Sequence, residues 1–262
     1  MEEFVISNPL EGVYHIADAL GVHFTFLVGK KRALLYDAGY GLFDPRPMLA
    51  RITPLEYTVI MSHAHFDHAI GARFFPKVYM HSADFPILPE YAGRYQRGRT
   101  LSIAGMRGIR IDNEDEYRKT DFSMFTRLSA SSFDLGGLTA NVVEMPGHTL
   151  GSVGLYVPEL ELLLTADSFN PTTWLFFHEA VPLGDYVAMM QRVIKLPFTR
   201  ALSPHKPDIT SRELVEEFVD GLNKATFAKA ERVRIEPYTN INTYRCNPSE
   251  SFSLTFDADK AR

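Results

Sequence analysis

The stretch SHAHFDHAIG, residues 62–71, holds three histidines and one aspartate within six positions. It directly follows residues 57–61, an apolar run whose length and composition predict a buried β-strand. Imidazoles and a carboxylate gathered where a strand ends would be costly to desolvate unless they share a cation. The pattern His-x-His-x-Asp-His over residues 63–68 therefore predicts a metal site at a strand end.

Length and composition limit the classes of protein that carry this site. The chain has 262 residues, 45% apolar and 23% charged, which is typical of a globular protein and predicts one domain over residues 1–262. There are 27 basic and 32 acidic residues, giving a net charge of −5, which opposes binding to a polyanion. We therefore expect a small-molecule substrate rather than a nucleic acid.

The amino terminus and the single cysteine bear on location. Residues 1–5 are acidic and lack the basic and apolar regions of a secretory signal, and no apolar run approaches the length of a membrane span. Cys246 has no second cysteine with which to form an internal disulfide. We expect a cytoplasmic protein that does not enter a membrane; its oligomeric state is open.

Strand and helix patterns fall into two successive halves. Apolar alternation and turn residues predict strands at 12–16, 23–28, 33–37, 57–61, 77–80, 132–135, 138–144, 152–157, 161–166 and 252–256. Apolar spacing predicts helices at 69–75, over 186–193 and over 215–225. Two β-then-α halves indicate a layered α/β sandwich. Residues 82–131, the insertion segment, lack clear periodicity and are interpreted as an insertion with several helical turns.

Three further strand ends carry metal-ligand residue types. "EMPGHTLGS" contains His148, "LLLTADS" contains Asp167 and "LSPHKP" contains His205. With the 63–68 motif, this order of residues resembles the metallo-β-lactamase fold superfamily, and within it the dinuclear hydrolases of the glyoxalase II and lactonase type. The resemblance covers most of the chain.

The resemblance implies a four-layer αββα sandwich with two metal ions at one edge of its two sheets. By correspondence of motif positions, one ion is held by His63, His65 and His148. The other is held by Asp67, His68 and His205, and Asp167 bridges the two. Zinc accepts this mixture of nitrogen and oxygen ligands, with iron or manganese as alternatives.

The same resemblance implies the reaction. A hydroxide shared by the two ions attacks an acyl or phosphoryl centre, and Asp67 acts as the catalytic carboxylate that orients the nucleophile or moves its proton. Asp37, in "LLYDAGYG", is expected to orient the motif loop without binding metal. The favoured function is a metallo-hydrolase of a small ester, thioester or lactone.

Substrate contacts are sought in the loops near these strand ends. Tyr40, Trp174, Phe177 and His178 are the candidates, with the aromatic residues as an apolar wall. Five arginines lie within residues 91–110, which contain no acidic residue. They indicate either a solvated basic face or a clamp for an anionic substrate group. We expect specificity to reside in the insertion segment.

Several branches of the superfamily match less well. The lactamases with a cysteine ligand differ because Asp167 stands at the corresponding position, and the flavin-linked di-iron reductases differ because they have a glutamate where this chain has His65. Two alternatives stay open. One is a phosphodiesterase or nuclease that uses the same site, and the other is a mononuclear iron oxygenase of the persulfide type.

Overall fold

The computed structural model describes residues 2–261, which divide into two units between Asn141 and Val142. The first unit contains the strands β1 (Phe4–Leu10), β2 (Val13–Asp18), β3 (His23–Val28), β4 (Ala33–Tyr36), β5 (Tyr57–Ile60), β6 (Val78–Met80), β7 (Phe125–Arg127) and β8 (Ser132–Asp134). Its helices are α1 (Arg46–Ile52), α2 (Phe66–Ala69), α3 (Leu88–Tyr91), α4 (Arg94–Met106) and α5 (Glu114–Arg118). The strand β9 (Thr139–Glu144) contains the division.

The second unit continues with the strands β10 (Val153–Val157), β11 (Leu162–Leu164), β12 (Thr172–Leu175), β13 (Arg200–Leu202), β14 (Thr210–Ser211), β15 (Glu231–Arg232), β16 (Thr243–Cys246) and β17 (Ser253–Asp257). Its helices are α6 (Leu183–Val193), α7 (Arg212–Gly221) and α8 (Lys224–Phe227).

Seven strands of the first unit form one sheet in sequence order, from β1 to β7. The pairs from β1 to β4 are antiparallel, whereas β4, β5, β6 and β7 run parallel to one another. Parallel strands present their carboxyl ends at the same edge of a sheet. The segments that leave β4, β5 and β6 therefore start side by side, and they carry Asp37, the 63–68 motif and Asp84.

The insertion segment is part of the first unit's hydrophobic core. Its buried residues in that core are Leu88, Ala92, Leu101, Ala104, Ile109 and Tyr117. It also supplies β7, which pairs with β6 through Val78↔Phe125. Because burying such side chains contributes on the order of 2 kcal/mol each, the segment stabilises the unit that carries the motif.

Two sheets make up the second unit. The first has the strand order β14-β13-β11-β10-β9, with β11 and β13 parallel, so the segments that follow them leave at the same end. The second has the order β12-β17-β16-β15. Helices α6 and α7 bury one apolar face each in this unit's core, through residues such as Tyr186, Met190 and Phe218. The stripe predicted over residues 186–193 is confirmed.

Three local predictions differ from the structure. The helix predicted over 215–225 ends at Gly221, because Asn223 caps a separate helix, α8. The helix predicted at 69–75 begins earlier, because His65 is extended at the helix start and Asp67 lies in the first turn of α2, where a carboxylate is favoured by the helix dipole. Residues 70–74 continue as a 3-10 helix. Trp174, predicted in a loop, lies in β12, which pairs with β17 through Trp174↔Thr255.

Among the described residues, no helix combines the length and the apolar content that a membrane-spanning segment requires. The cytoplasmic location remains a prediction.

Gly71 sets the distance between the helical turns after the motif and the loop after β4. Its amide donates to the Gly39 carbonyl oxygen at 3.1 Å, and an added Cβ would lie 1.9 Å from the carbonyl oxygen of Ala38. We expect Gly71→Ala to lower the free energy of unfolding by about 2 kcal/mol, because backbone cannot retreat as a flexible side chain can.

Gly105, in α4, is the matched control, since an added Cβ there meets no atom within 4 Å. Gly105→Ala should raise stability by about 0.5–1 kcal/mol through helix propensity. Denaturant unfolding of the three proteins measures both effects. Equal stability of Gly71→Ala and wild type would show that this contact is not tight.

Candidate metal centre

The motif residues lie buried in the turn after β5 and in α2. His63 and His68 are fully buried, and His65 and Asp67 are 3% and 9% exposed. The rings of His63 and His68 have centroids 4.2 Å apart. Ligand atoms of His63 and His65 lie within 4.8 Å of each other, as do those of Asp67 and His68. The turn thus concentrates the nitrogen and oxygen donors that zinc binds.

Asp37 fixes two of these histidines. Its Oδ1 accepts the Ser62 amide at 2.7 Å, and its Oδ2 accepts the Ser62 hydroxyl at 2.8 Å and His68 Nδ1–H at 2.9 Å. The Ser62 hydroxyl donates to Asp37, so at 2.9 Å it accepts from His63 Nδ1–H. Both imidazoles therefore carry their proton on Nδ1, which leaves the Nε2 lone pair for a metal.

The backbone at Asp37 is adapted to this role. Its φ of 67° lies in the left-handed region, which aspartate tolerates better than most residues do. The Asp37 amide donates to the Ile60 carbonyl oxygen at 2.8 Å, and the Ala38 amide donates to the His68 carbonyl oxygen at 3.2 Å. Main-chain and side-chain bonds thus join the end of β4 to the motif.

Asp84 is a supporting residue that sequence reasoning missed. It is fully buried in the 3-10 helix after β6, and its Oδ2 accepts the Ala64 amide at 3.0 Å. Tyr91, also from the insertion segment, places its ring centroid 4.1 Å from that of His65. A buried carboxylate needs hydrogen-bond donors, so Asp84 and the motif backbone stabilise each other. Its position after a third parallel strand was the available signal.

Asp18 holds the loop that carries Tyr40. Its Oδ2 accepts the Tyr40 amide at 2.8 Å, and its Oδ1 accepts the Leu20 amide at 2.9 Å. Burial raises the pKa of the Asp18 carboxyl to about 6, while the amides of Tyr40, Leu20 and Val22 oppose that rise. The Tyr117 hydroxyl donates to the Tyr40 carbonyl oxygen at 2.7 Å. Sequence reasoning identified neither Asp18 nor Tyr117.

The second unit brings together His148, Asp167 and His205. His205 Nε2 lies 3.1 Å from Asp167 Oδ1 and 3.2 Å from Oδ2, and His148 Nε2 lies 3.5 Å from Oδ2. Asp167 follows β11 and His205 follows β13, so the parallel pairing of these strands places them together. His148 Nδ1–H donates to the Trp174 carbonyl oxygen at 2.6 Å, which leaves its Nε2 lone pair for a metal.

The candidate substrate contacts lie in different environments. Trp174 is half-buried in β12, and its indole Nε1 is a buried donor that meets no acceptor among the described residues. Phe177 is 5% exposed and packs edge-on against His148, with ring centroids 5.5 Å apart. Tyr40 is half-buried, and the exposed His178 lies 3.1 Å from a carboxylate oxygen of Glu179. Their contact with substrate stays a prediction.

The five arginines of the 91–110 stretch lie in different environments, and only Arg97 departs from the solvated basic face considered from sequence. Arg97 is 3% exposed and donates to the Ala92 carbonyl oxygen at 2.8 Å and the Tyr117 carbonyl oxygen at 3.0 Å. Burial lowers the pKa of its guanidinium to about 10. Arg94, Arg107 and Arg110 are exposed and Arg99 is half-buried; Arg107 also donates to the Leu20 carbonyl oxygen at 2.9 Å. Arg97 and Arg107 thus serve the backbone of the first unit.

Asp37→Asn tests whether this carboxylate orders the histidines. The amide keeps the shape and tolerates the same φ, but its nitrogen cannot accept from Ser62 or His68. We expect metal affinity to fall about 10- to 100-fold, the usual effect of removing a partner of metal-binding histidines. Titration with zinc against a chelating dye measures it.

Asp44→Asn is the control, because Asp44 pairs with the exposed guanidinium of Arg46 and contacts no motif residue in the structure. Its metal affinity should equal that of wild type. Wild-type affinity in a folded Asp37→Asn would show that the histidines do not depend on this carboxylate.

Comparison with solved structures agrees with the predicted fold. A metallo-beta-lactamase from Pontibacter korlensis is 16% identical with a TM-score of 0.57, over 84% of this chain and 99% of that one. The sec-alkylsulfatase Pisa1 from Pseudomonas sp. is 14% identical with a TM-score of 0.61, over 85% of this chain and 42% of that one. These likenesses confirm the predicted α/β fold of the metallo-β-lactamase type.

Sequence comparison identifies the family. An acyl-coenzyme A thioesterase, MBLAC2 of Gallus gallus, is 27% identical over 192 residues, which are 64% of this chain. The chain matches only 65% of that protein's length. Residues 17–218 match the sequence profile of the Metallo-beta-lactamase superfamily. That match covers the 63–68 motif together with His148, Asp167 and His205, and this chain belongs to the metallo-beta-lactamase superfamily.

Proposed function

We propose that this chain is a metal-dependent hydrolase of a small acyl compound, with thioesters favoured over esters and lactones. The hydrolase class agrees with the superfamily and with the thioesterase name of the chicken relative. The observation that carries the metal dependence is the protonation of His63, His68 and His148 on Nδ1, each through a hydrogen bond to a named acceptor. Three imidazoles prepared in this way fit metal ligands.

The ligands are assigned as the resemblance implies. His63, His65 and His148 would hold one ion, Asp67, His68 and His205 a second, and Asp167 both. The donor set of five imidazoles and two carboxylates suits zinc, and the approach of both His148 and His205 to the Asp167 carboxylate supports its assignment to both ions. Zinc supplies Lewis acidity and lowers the pKa of water when bound.

The chain's own side chains account for positioning and proton transfer. Asp67 is 9% exposed, which gives its carboxylate access to a reacting water, and its Oδ2 lies 3.6 Å from His68 Nε2. We assign it the proton transfer. Asp37 and Ser62 keep the histidines oriented, and Phe177 excludes water from one side of His148.

The acyl class is favoured over phosphodiesters because two of the five arginines in the 91–110 stretch are already engaged in hydrogen bonds to the protein backbone. Arg97 and Arg107 already donate to backbone carbonyl oxygens. The chain's net charge of −5 also opposes a polyanionic substrate. The aromatic side chains of Trp174 and Phe177, in contrast, suit an apolar acyl group.

Asp167→Ala tests the dinuclear assignment. Because Asp167 is assigned to both ions, the variant should bind one metal or none and lose activity by about 1,000-fold or more. Asp208 is exposed and close to His205 in sequence, so Asp208→Ala is the matched control and should keep both metal ions and activity. Elemental analysis of protein purified without added metal gives the number of metal ions per chain. Two zinc ions in Asp167→Ala would refute the assignment, and one iron in wild type would favour the oxygenase alternative.

A substrate panel tests the reaction class. Zinc-loaded protein should hydrolyse acyl thioesters faster than aryl esters or lactones, and should leave bis(p-nitrophenyl) phosphate and single-stranded RNA unchanged. Release of thiol or nitrophenol measures each rate, with Asp67→Asn as the inactive control. Turnover confined to the phosphodiesters would replace the proposal with the phosphodiesterase alternative.

A further inference from the structure

Lys260 binds the loop that follows β12. Its ammonium donates to the carbonyl oxygens of Phe177 at 2.7 Å, His178 at 2.7 Å and Ala180 at 3.0 Å. An ammonium group has three hydrogens, and here all three have acceptors. Bonds from a charged donor are about twice as strong as neutral ones. One side chain therefore binds three carbonyl groups of a single short loop.

The loop that Lys260 holds, residues 176–181, lies directly beside His148. The Val181 amide donates to the Gly147 carbonyl oxygen at 3.0 Å, and the Phe177 ring packs on the His148 ring. His148 in turn donates to the Trp174 carbonyl oxygen. A shift of this loop would thus move both the ring that packs on His148 and the backbone bond to the residue before it.

Four aromatic rings cluster at this loop: two from the loop, one from β12 and one from residue 238. Phe176 and Phe177 have centroids 4.5 Å apart, Trp174 lies 5.0 Å from Phe176, and Tyr238 lies 5.1 Å from Phe177. The two phenylalanines are buried, whereas Trp174 and Tyr238 are half-buried. Trp174 and Tyr238 therefore supply the exposed apolar surface of the cluster, and both contact the buried phenylalanines of the loop.

Two of these residues come from outside the part of the chain that matches the superfamily. The match ends at residue 218, and Tyr238 and Lys260 lie beyond it. Burial lowers the pKa of the Lys260 ammonium, while the carboxylates of Asp257 and Glu179 oppose that shift. The carbonyl oxygens compensate for the desolvation of the charge.

We propose that Lys260 is a positioning residue that fixes the 176–181 loop, so that Trp174, Phe176, Phe177 and Tyr238 form the wall for an apolar acyl group. This inference rests on the proposed acyl hydrolase. Selectivity among acyl groups comes from their apolar contact with the rings. Lys260 itself contacts no reacting atom.

Lys260→Met tests the role of the ammonium, since methionine retains most of the length without a donor. Lys260→Arg keeps the charge, and Lys229→Met removes an exposed lysine of the same unit as a control. Trp174 is the single tryptophan of the chain, so its fluorescence reports on the loop without any metal or substrate. We expect red-shifted emission and stronger acrylamide quenching in Lys260→Met alone, with Lys260→Arg close to wild type.

The second measurement compares KM among thioesters with different acyl groups. Lys260→Met should raise KM for octanoyl and benzoyl thioesters about tenfold and change KM for an acetyl thioester less than about twofold. Unchanged Trp174 fluorescence in Lys260→Met would overturn the positioning role. Altered fluorescence with equal KM changes across all acyl groups would overturn the acyl wall. If wild type hydrolyses no thioester, the proposed function fails, while the fluorescence comparison still decides whether Lys260 positions the loop.

Discussion

The buried carboxylate of Asp37 accepts hydrogen bonds from the Ser62 amide, the Ser62 hydroxyl and the His68 imidazole. These bonds fix the tautomer of His68 directly and that of His63 through the hydroxyl. The arrangement requires the left-handed backbone at residue 37 and a strand pair, β4 and β5, that runs parallel. The candidate metal-binding turn thus depends on a residue that is not itself assigned to bind metal.

Three further contacts support the candidate ligands of the first unit. Asp84 holds the Ala64 amide, Gly71 allows the turns after the motif to meet the loop after β4, and Asp18 holds that loop at Tyr40. Each contact joins segments that leave neighbouring strands. Buried polar groups that are fully paired in this way stabilise one arrangement over its alternatives, because any other arrangement leaves a group unpaired.

The second unit orders its ligands by similar means with different groups. A backbone carbonyl oxygen, that of Trp174, takes the place that a carboxylate has at His68, and the parallel pair β11 and β13 places Asp167 next to His205. A carbonyl acceptor orients the His148 imidazole without adding a formal charge. The carboxylate of Asp167 is then the charged group beside His148. Lys260, near the carboxyl terminus, binds the loop after β12. The same loop carries Phe177, whose ring packs on the candidate ligand His148.

Sequence alone identified the residue types that can bind metal, since the 63–68 motif follows an apolar strand and His148, Asp167 and His205 follow others. Most strands and the helices α6 and α7 were also predicted, because apolar periodicity is a local property of the chain. The start of α2 and the strand that holds Trp174 were not, since helix-dipole and sheet-pairing effects outweighed local pattern there.

Only the tertiary structure decided which groups orient the candidate ligands. Asp84 lies 20 positions from Ala64, Asp18 lies 22 from Tyr40 and Lys260 lies 80 to 83 from the carbonyl groups it binds. The sequence placed Arg97 in a solvated basic face or an anion clamp, and it is instead a buried donor to carbonyl oxygens. Such contacts have no periodicity along the chain, because they arise only where strand pairing brings distant segments to one edge and burial then requires every polar group to find a partner.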